Sequence, residues 1–333
     1  MRILTASLLL VCLAAIGTAQ FETAVVLGTV RDASQGVIPD ARVTLVNLET
    51  GITANVNTDV NGNYVFNNVK LGRYRVSAEK AGFAKAAADD FTVNVNARQR
   101  VDLTMNVGQV TETVQVTGTV ATVESDSTER GQVVSQRLIV ELPLNGRNYA
   151  DLSLLTTGVR RSDYAFANPP RDAAFNVNGQ RSTFNNFLID GVDNNAYGTS
   201  NQGFSSQVVQ ATPDALAEFK VVTMLPSAEY GRSSGSVINA AFKSGTNGIH
   251  GSAWEFLRNT SLNAVGFFKP ATGKPVLQRN QFGGTVGGPI VKNRAFFFAD
   301  YEGFREINKF VSFSSIPSLD DRRRRAPKGR ERR

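Results

Sequence analysis

Apolar and polar residues alternate with a period of two through much of the chain. In residues 41–47 Ala41, Val43 and Leu45 mark one side while Arg42 and Thr44 mark the other, and in 74–78 Tyr74, Val76 and Ala78 oppose Arg75 and Ser77. Alternation of this kind belongs to strands with one buried face. Comparable short runs at 24–30, 52–58, 63–66, 91–95 and 100–107, punctuated by Gly, Asn, Asp and Pro, bring the total to seven strands across residues 20–107. Seven short strands with tight turns predict a β-sandwich.

Residues 108–129 turn to Thr, Val, Glu and Ser without large core side chains, and read as an extended linker. The pattern then becomes mixed. Ser135 is placed to cap a short helix ending near Glu141, Pro143 stops it, and a second helix carries Tyr149, Leu152 and Leu155 toward Gly158. Residues 163–174, with Asn168-Pro169-Pro170, form a loop, and Thr212 with Pro213 opens another short helix that feeds a strand at 219–223. Apolar runs at 187–189, 221–223 and 237–242 lie between Asn, Gly and Ser clusters, so residues 130–245 predict a compact α+β unit.

From residue 245 the dyad pattern returns in longer runs. Phe282, Val286 and Ile290 oppose Gln281, Gly283 and Thr285; Trp254 and Phe256 oppose Ala253 and Glu255; Phe297, Ala299 and Tyr301 oppose Asp300 and Glu302. This is the signature of a membrane barrel strand, and equally of an amphipathic sheet in a soluble domain. At most four such strands fit in 246–319, whereas a closed barrel needs at least about eight, because an open edge in lipid leaves backbone groups unpaired.

Charge and composition narrow the function classes. Residues 320–333 hold eight basic and three acidic side chains, so five of the seven net positive charges sit in the tail. The body is close to neutral and offers no basic face, so no nucleic-acid partner is expected. The tail has neither strand nor helix periodicity: it reads as an anion-binding arm or as the out-of-frame or truncated end of a longer gene, and its abrupt onset after barrel-like sequence favours the second. At the other end, Arg2 precedes an apolar run from Ile3 to Ile16, and the small residues Gly17 and Ala19 predict a signal peptide over 1–19, cleaved between Ala19 and Gln20. The only cysteine, Cys12, leaves with it, and Val11 before it argues against a lipoprotein site.

Little catalytic chemistry remains. One histidine, His250, stands in a turn, and zinc ligation by Cys or His clusters is excluded by count. No serine has a nucleophile-elbow context, so no enzyme, cofactor or metal site is expected. Residues 59–63 have their glycine at the fourth position rather than the sixth that a calcium loop requires, and read as a turn. Asp190, Asp193, Asn194 and Asn195 could surround calcium, but Asx residues more often satisfy their own backbone. The glycines at 283, 284, 287 and 288 lack the Gly-Lys-Ser ending of a phosphate cradle and read as closely packed strand positions.

Two resemblances add to this reading. Gly28-Thr29-Val30-Arg31-Asp32, Val37-Ile38-Pro39-Asp40, Thr58-Asp59, Gly62-Asn63-Tyr64, Gly72-Arg73-Tyr74 and Gly82-Phe83 resemble, in order, the carboxypeptidase regulatory-like domain. That family implies a transthyretin-like, carbohydrate-binding-like sandwich and brings no peptidase with it. The strand start at Val177 with Asn178, Gly179, Gln180 and Arg181, then the turn Leu188-Ile189-Asp190-Gly191-Val192, then Tyr230 and Gly231, and Asn239 after Gly235 and Ser236, resemble the plug domain of TonB-dependent outer-membrane receptors.

The second resemblance implies a mainly β chain: sandwich over 20–107, plug over 130–245, and the first strands of an incomplete transmembrane β-barrel of about 22 strands over 246–319. It also implies a partner. Thr111, Glu112, Thr113, Val114, Gln115, Val116 and Thr117 resemble the TonB box, a β-prone peptide that adds as a strand to the periplasmic energy-coupling protein. A last strand of the sandwich or a plain linker fits these residues about as well. The expected activity is energy-coupled uptake of an unidentified ligand, a glycan among the candidates, through the outer membrane, with residues 193–204 facing outward. An exported carbohydrate-binding or adhesion sandwich is the alternative.

Overall fold

A computed structural model describes residues 24–108, 113–115, 126–162, 173–196, 207–231, 233–265, 267, 273–309 and 318–320. The predicted signal segment with Ala19 and Gln20, the basic tail beyond 320 and most of the predicted outward loop lie outside these residues. The chain forms two compact units, one of residues 1–252 with 285–300 and the other of 253–284 with 301–333.

The N-terminal strands are β1 (Ala24–Asp32), β2 (Arg42–Asn47), β3 (Thr53–Asn57), β4 (Asn63–Val69), β5 (Gly72–Glu79), β6 (Lys85–Ala87), β7 (Phe91–Val93), β8 (Arg98–Arg100) and β9 (Leu103–Met105). One sheet runs β4-β1-β8, with β9 also on β1; the other runs β6-β5-β2-β3, with β7 on β5. The alternating apolar residues close a common core in which Val26, Val30, Val43, Tyr64, Val76, Val101 and Met105 are at most 2% exposed. The predicted strand at 100–107 is divided. Gly28 of β1 lies so near the Val101 carbonyl that a methyl group there would come within 1.9 Å of the oxygen. That carbonyl accepts from the buried Tyr64 hydroxyl at 2.5 Å while Val101 N–H donates to Leu27 O at 2.8 Å. β1 therefore changes parallel partner at this point, from β8 to β9. The strand β6 went unseen because Lys85-Ala86-Ala87 carries no β-branched or aromatic residue.

The second part contains β11 (Arg130–Ser135), α1 (Gln136–Glu141), β12 (Val159–Arg161), β13 (Phe175–Val177), β14 (Asn186–Ile189), β15 (Val192–Asp193), β16 (Leu216–Met224) and β17 (Val237–Phe242). The segment between β9 and β11 contributes β10 (Thr113–Gln115), described below. Five strands form a sheet in the order β11-β16-β17-β14-β15, antiparallel except for β14 beside β17. Val134, Ile139, Phe175, Phe187, Phe219 and Ile238 form its core, with Tyr149 edge-on to Phe219 at 5.3 Å.

Two local expectations need correction. Ser135 occupies the position before α1 but makes no capping bond. The segment Tyr149–Leu155 is a 3-10 helix, started by the Asn148 side chain accepting from Ala150 N–H at 3.1 Å, and Leu155 at its end is exposed. β11 is an edge strand whose polar Arg-Gly-Gln opening carries no alternation to predict it.

Three long strands follow: β18 (His250–Asn259), β19 (Val276–Val291) and β20 (Ala295–Lys309), joined in that order in one sheet. Their 10, 16 and 15 residues match or exceed the roughly 9–11 needed to cross a bilayer at a tilt. Val286, Ile290, Phe297 and Tyr301 are exposed, whereas Gln281 and Thr285 are buried. The aromatic side chains do not all share one side. Gly283 leaves room for Trp254, since a methyl group at 283 would lie 2.6 Å from its ring. Trp254 thus lies on the face of the small and polar residues of β19, away from Phe282.

Candidate functional site

The resemblance-based site residues are mostly turn builders. Asn178 and Gly179, with φ of 48° and 82°, form a two-residue turn closed by Gln180 N–H donating to Val177 O at 2.9 Å. Asp190 and Gly191, at 48° and 76°, do the same between β14 and β15. Both central residues with positive φ is the hairpin turn that Asn-Gly and Asp-Gly sequences favour. The second turn is fastened to the sheet. Asp190 Oδ1 accepts from Phe242 N–H at 3.0 Å, and Asn239 Oδ1 accepts from Gly191 N–H at 3.2 Å.

Asp190, Gly191 and Asn239 are thereby brought together, and Asn178 joins the far side of the sheet by donating to Thr223 O at 2.9 Å. Tyr230 packs on Leu188, Val222 and Val237, and the Gly231 carbonyl accepts from Asn186. Arg181 stands exposed ahead of a 3-10 turn at Ser182–Phe184. The calcium-like cluster is a network of its own: Asp193 Oδ1 accepts from Asn195 N–H at 2.9 Å, Asn195 Oδ1 from Phe187 N–H at 2.9 Å, and Asn194 Oδ1 from Val209 N–H at 2.8 Å. In residues 59–63, Asp59 Oδ1 likewise accepts from the amides of Asn61 and Asn63, both at 2.8 Å. Among the described residues no group of three or more His, Cys, Asp and Glu is placed to hold a metal. His250 is exposed at the start of β18, with Nδ1 3.0 Å from Gly248 O.

Of the box-like segment, Thr113, Val114 and Gln115 are described; Thr111, Glu112, Val116 and Thr117 lie outside the described residues. Thr113–Gln115 is β10, an added strand at the edge of the second sandwich sheet, parallel to β6, with Thr113 opposite Lys85 and Gln115 opposite Ala87.

A polar cluster that sequence reasoning missed joins the sandwich to the five-stranded sheet. The turn at 94–97, between β7 and β8, reaches β16 and β17. Val95 N–H donates to the Glu218 carboxylate. Lys220 Nζ donates to Asn96 O at 3.1 Å and pairs with Glu129 at 3.3 Å, and Asn239 Nδ2 donates to Asn96 Oδ1 at 2.8 Å. The side chains of Lys220 and Glu129 are only 5% and 8% exposed. Burial raises the Glu218 carboxyl above the usual carboxylate range, opposed by the Val95 amide and the Lys220 charge. The one sequence signal was a lysine inside the otherwise apolar run Phe219-Lys220-Val221-Val222. Glu129 closes the linker at this cluster, and also accepts from Ser227 N–H at 2.9 Å.

The sandwich presents no aromatic platform from Tyr64, Phe66, Tyr74 or Phe91, each at most 6% exposed.

Three family models match parts of the chain. Residues 25–106 match the carboxypeptidase regulatory-like domain, 123–237 the TonB-dependent receptor plug domain, and 241–325 an outer membrane beta barrel domain. The chain is 28% identical over 303 residues to the TonB-dependent transporter Oar of Myxococcus xanthus, covering 86% of this chain and 27% of that protein. It therefore spans about a quarter of that relative's length. Among solved structures it is similar to the siderophore receptor PirA from Acinetobacter baumannii, at 20% identity and a TM-score of 0.39 over 52% of this chain and 24% of that one. It is also similar to the 5-hydroxyisourate hydrolase of Klebsiella pneumoniae, at 22% identity and a TM-score of 0.22 over 26% of this chain and 91% of that one.

Proposed function

From a chain that carries a TonB-dependent receptor plug domain between a carboxypeptidase regulatory-like domain and outer membrane beta-barrel sequence, we infer energy-coupled uptake across the outer membrane. In this reading the chain is exported after cleavage between Ala19 and Gln20, the sandwich lies in the periplasm, and β18, β19 and β20 belong to the barrel wall. Residues 193–204 face outward toward the ligand. Residues 111–117 meet a TonB-type energy-coupling protein, which pulls on the linker.

The observation that carries the reading is the position of that segment. It lies directly between a sandwich and a plug sheet, each with its own core, so tension on it can act on the plug without passing through the barrel wall. A segment of this kind needs an exposed, extended backbone with an edge free for pairing. Thr113–Gln115 is extended, as that role requires. The test is calorimetric titration of the chain with the periplasmic domain of a TonB-type protein. Deleting residues 111–117 is expected to abolish binding; undiminished binding would refute the coupling role.

A further inference from the structure

The sandwich touches the rest of the chain at a second place, away from the polar cluster around Lys220. The turn joining β2 to β3 is prebuilt. The buried Asn47 side chain accepts from the amides of Glu49 and Thr50, both at 2.9 Å, and Gly51 N–H donates to Asn47 O at 2.8 Å. This turn meets two asparagines that are paired with each other. Asn247 Nδ2 donates to Asn293 Oδ1 at 2.7 Å, and Asn293 N–H donates to Asn247 Oδ1 at 2.9 Å. Asn247 lies between β17 and β18, and Asn293, at a φ of 62°, lies in the turn between β19 and β20. Asn247 N–H donates to Glu49 O at 3.0 Å, and a methyl group on Gly51 would come within 2.3 Å of Asn293 Oδ1. Two residues before Asn247, Gly245 is wedged against the same hairpin: a methyl group there would lie 2.3 Å from Phe297 O and 2.6 Å from Gly288 O. All of these residues belong to the first compact unit.

We propose that residues 47–51 are an interaction surface whose partner is the β19–β20 turn of this same chain, and that this contact releases before the one at 94–97, leaving the sandwich on the plug sheet. The two contacts differ in kind. At 94–97, Val95 and Asn96 are buried, and they bond to Glu218 and to the buried Lys220 ammonium. Bonds to charged groups are stronger than neutral ones, and parts of a fold with buried contacts open least. At 47–51 the bonded groups are neutral, Gly51 and Asn293 are exposed, and water takes over each bond as it breaks. The asparagine pair uses no sandwich atom, so it persists after release and the contact can re-form. That the β19–β20 turn lies at the periplasmic rim of a barrel rests on the uptake reading above; the contact and its order of release do not. Under that reading the sandwich is part of the moving plug, resting on the wall.

Hydrogen exchange resolved to single amides in the whole chain tests both parts. In the unmodified chain the Asn247 amide is expected to be protected at least tenfold less than the Val95 amide; equal or greater protection would overturn the order of release. Gly51→Ala, which drives a methyl group into Asn293, should lower protection at Asn247 at least threefold further. Gly82→Ala is the control. It places the same side chain at a φ of 87° in another turn of the sandwich, with no atom within 4 Å, and should leave Asn247 unchanged. No effect of Gly51→Ala, or an equal effect of both variants, would overturn the docking. Should Gly51→Ala fail to fold, Asn293→Gly takes its place, since glycine accepts a φ of 62° without strain and removes the side chain that Asn247 pairs with. Protection at Asn247 should fall at least threefold there too, and unchanged protection would refute the asparagine pair as the partner of the turn.

Discussion

Removing the charge of Glu129 should weaken the junction between sandwich and plug sheet far more than removing Glu129 and Lys220 together. The two side chains are almost fully shielded from water and 3.3 Å apart. A buried ion pair contributes little net stability, because desolvation of both ions offsets their attraction, but breaking it from one side strands a charge at a cost of about 3–5 kcal/mol. In Glu129→Gln, the Lys220 ammonium still has the Asn96 carbonyl at 3.1 Å, which places the expected loss near the lower end, about 3 kcal/mol. At about 1.4 kcal/mol per decade this is roughly a hundredfold increase in the local opening constant. Lys220→Met combined with Glu129→Gln leaves no stranded ion, and the expected loss falls to about 1 kcal/mol or less.

Hydrogen exchange of amides in β11, β16 and residues 94–97 measures all four members of the cycle in the intact chain. Exchange in Glu129→Gln should be faster by about two decades, with most of the effect reversed in the double variant. A coupling below about 0.5 kcal/mol, the scatter of independent sites, would refute the idea that this pair is desolvated in the native state.

Two further perturbations have a defined sign. The Glu218 carboxyl is raised in the folded protein, so the folded state holds its proton more tightly than the unfolded one. Stability then increases as pH falls through the folded value toward the ordinary carboxylate range, and at neutral pH the ionised group is a burden. Glu218→Gln keeps an acceptor for Val95 N–H, and should leave stability at neutral pH unchanged or higher and flatten its acid dependence in thermal melts; a large loss would contradict this. Gly191→Ala puts a side chain at a φ of 76° and should cost about 1–2 kcal/mol, whereas Gly231→Ala, with no atom within 4 Å of the new methyl, should stay within about 0.5 kcal/mol in the same melts.

The sandwich was largely legible because its strands obey the period of two, from β2 and β5 at its centre to the buried Tyr64 and Tyr74. What escaped were strands defined by their neighbours. β6 is nearly all alanine and β11 opens with Arg-Gly-Gln, so each is a strand because a partner supplies the ladder, which sequence periodicity does not record. The turn at Asp190-Gly191 was readable as a motif, since only a few residue types accept a positive φ, whereas Asn178-Gly179, expected to start a strand, turns the chain after β13 has ended. The joining cluster was not. Asn96 meets Lys220 and Asn239 across 124 and 143 residues of chain, and a hydrogen bond over such a span leaves no local pattern at either end.

The edge position of β11 has a mechanical consequence. The linker enters it at Arg130, opposite Met224, and the ladder then runs to Ser135 opposite Glu218. A load drawn away from the sheet at that end unzips the strand one pair after another, where a load along the strand would have to shear every pair at once. Glu129, tied to Lys220 and to the Ser227 amide, is the clasp at the head of this zipper. Once it yields, six residues can follow at small force, freeing about 20 Å of chain at roughly 3.4 Å per residue. A single-molecule pull applied at residue 126 should record that step ahead of any larger one, and Glu129→Gln should lower its force without changing its length.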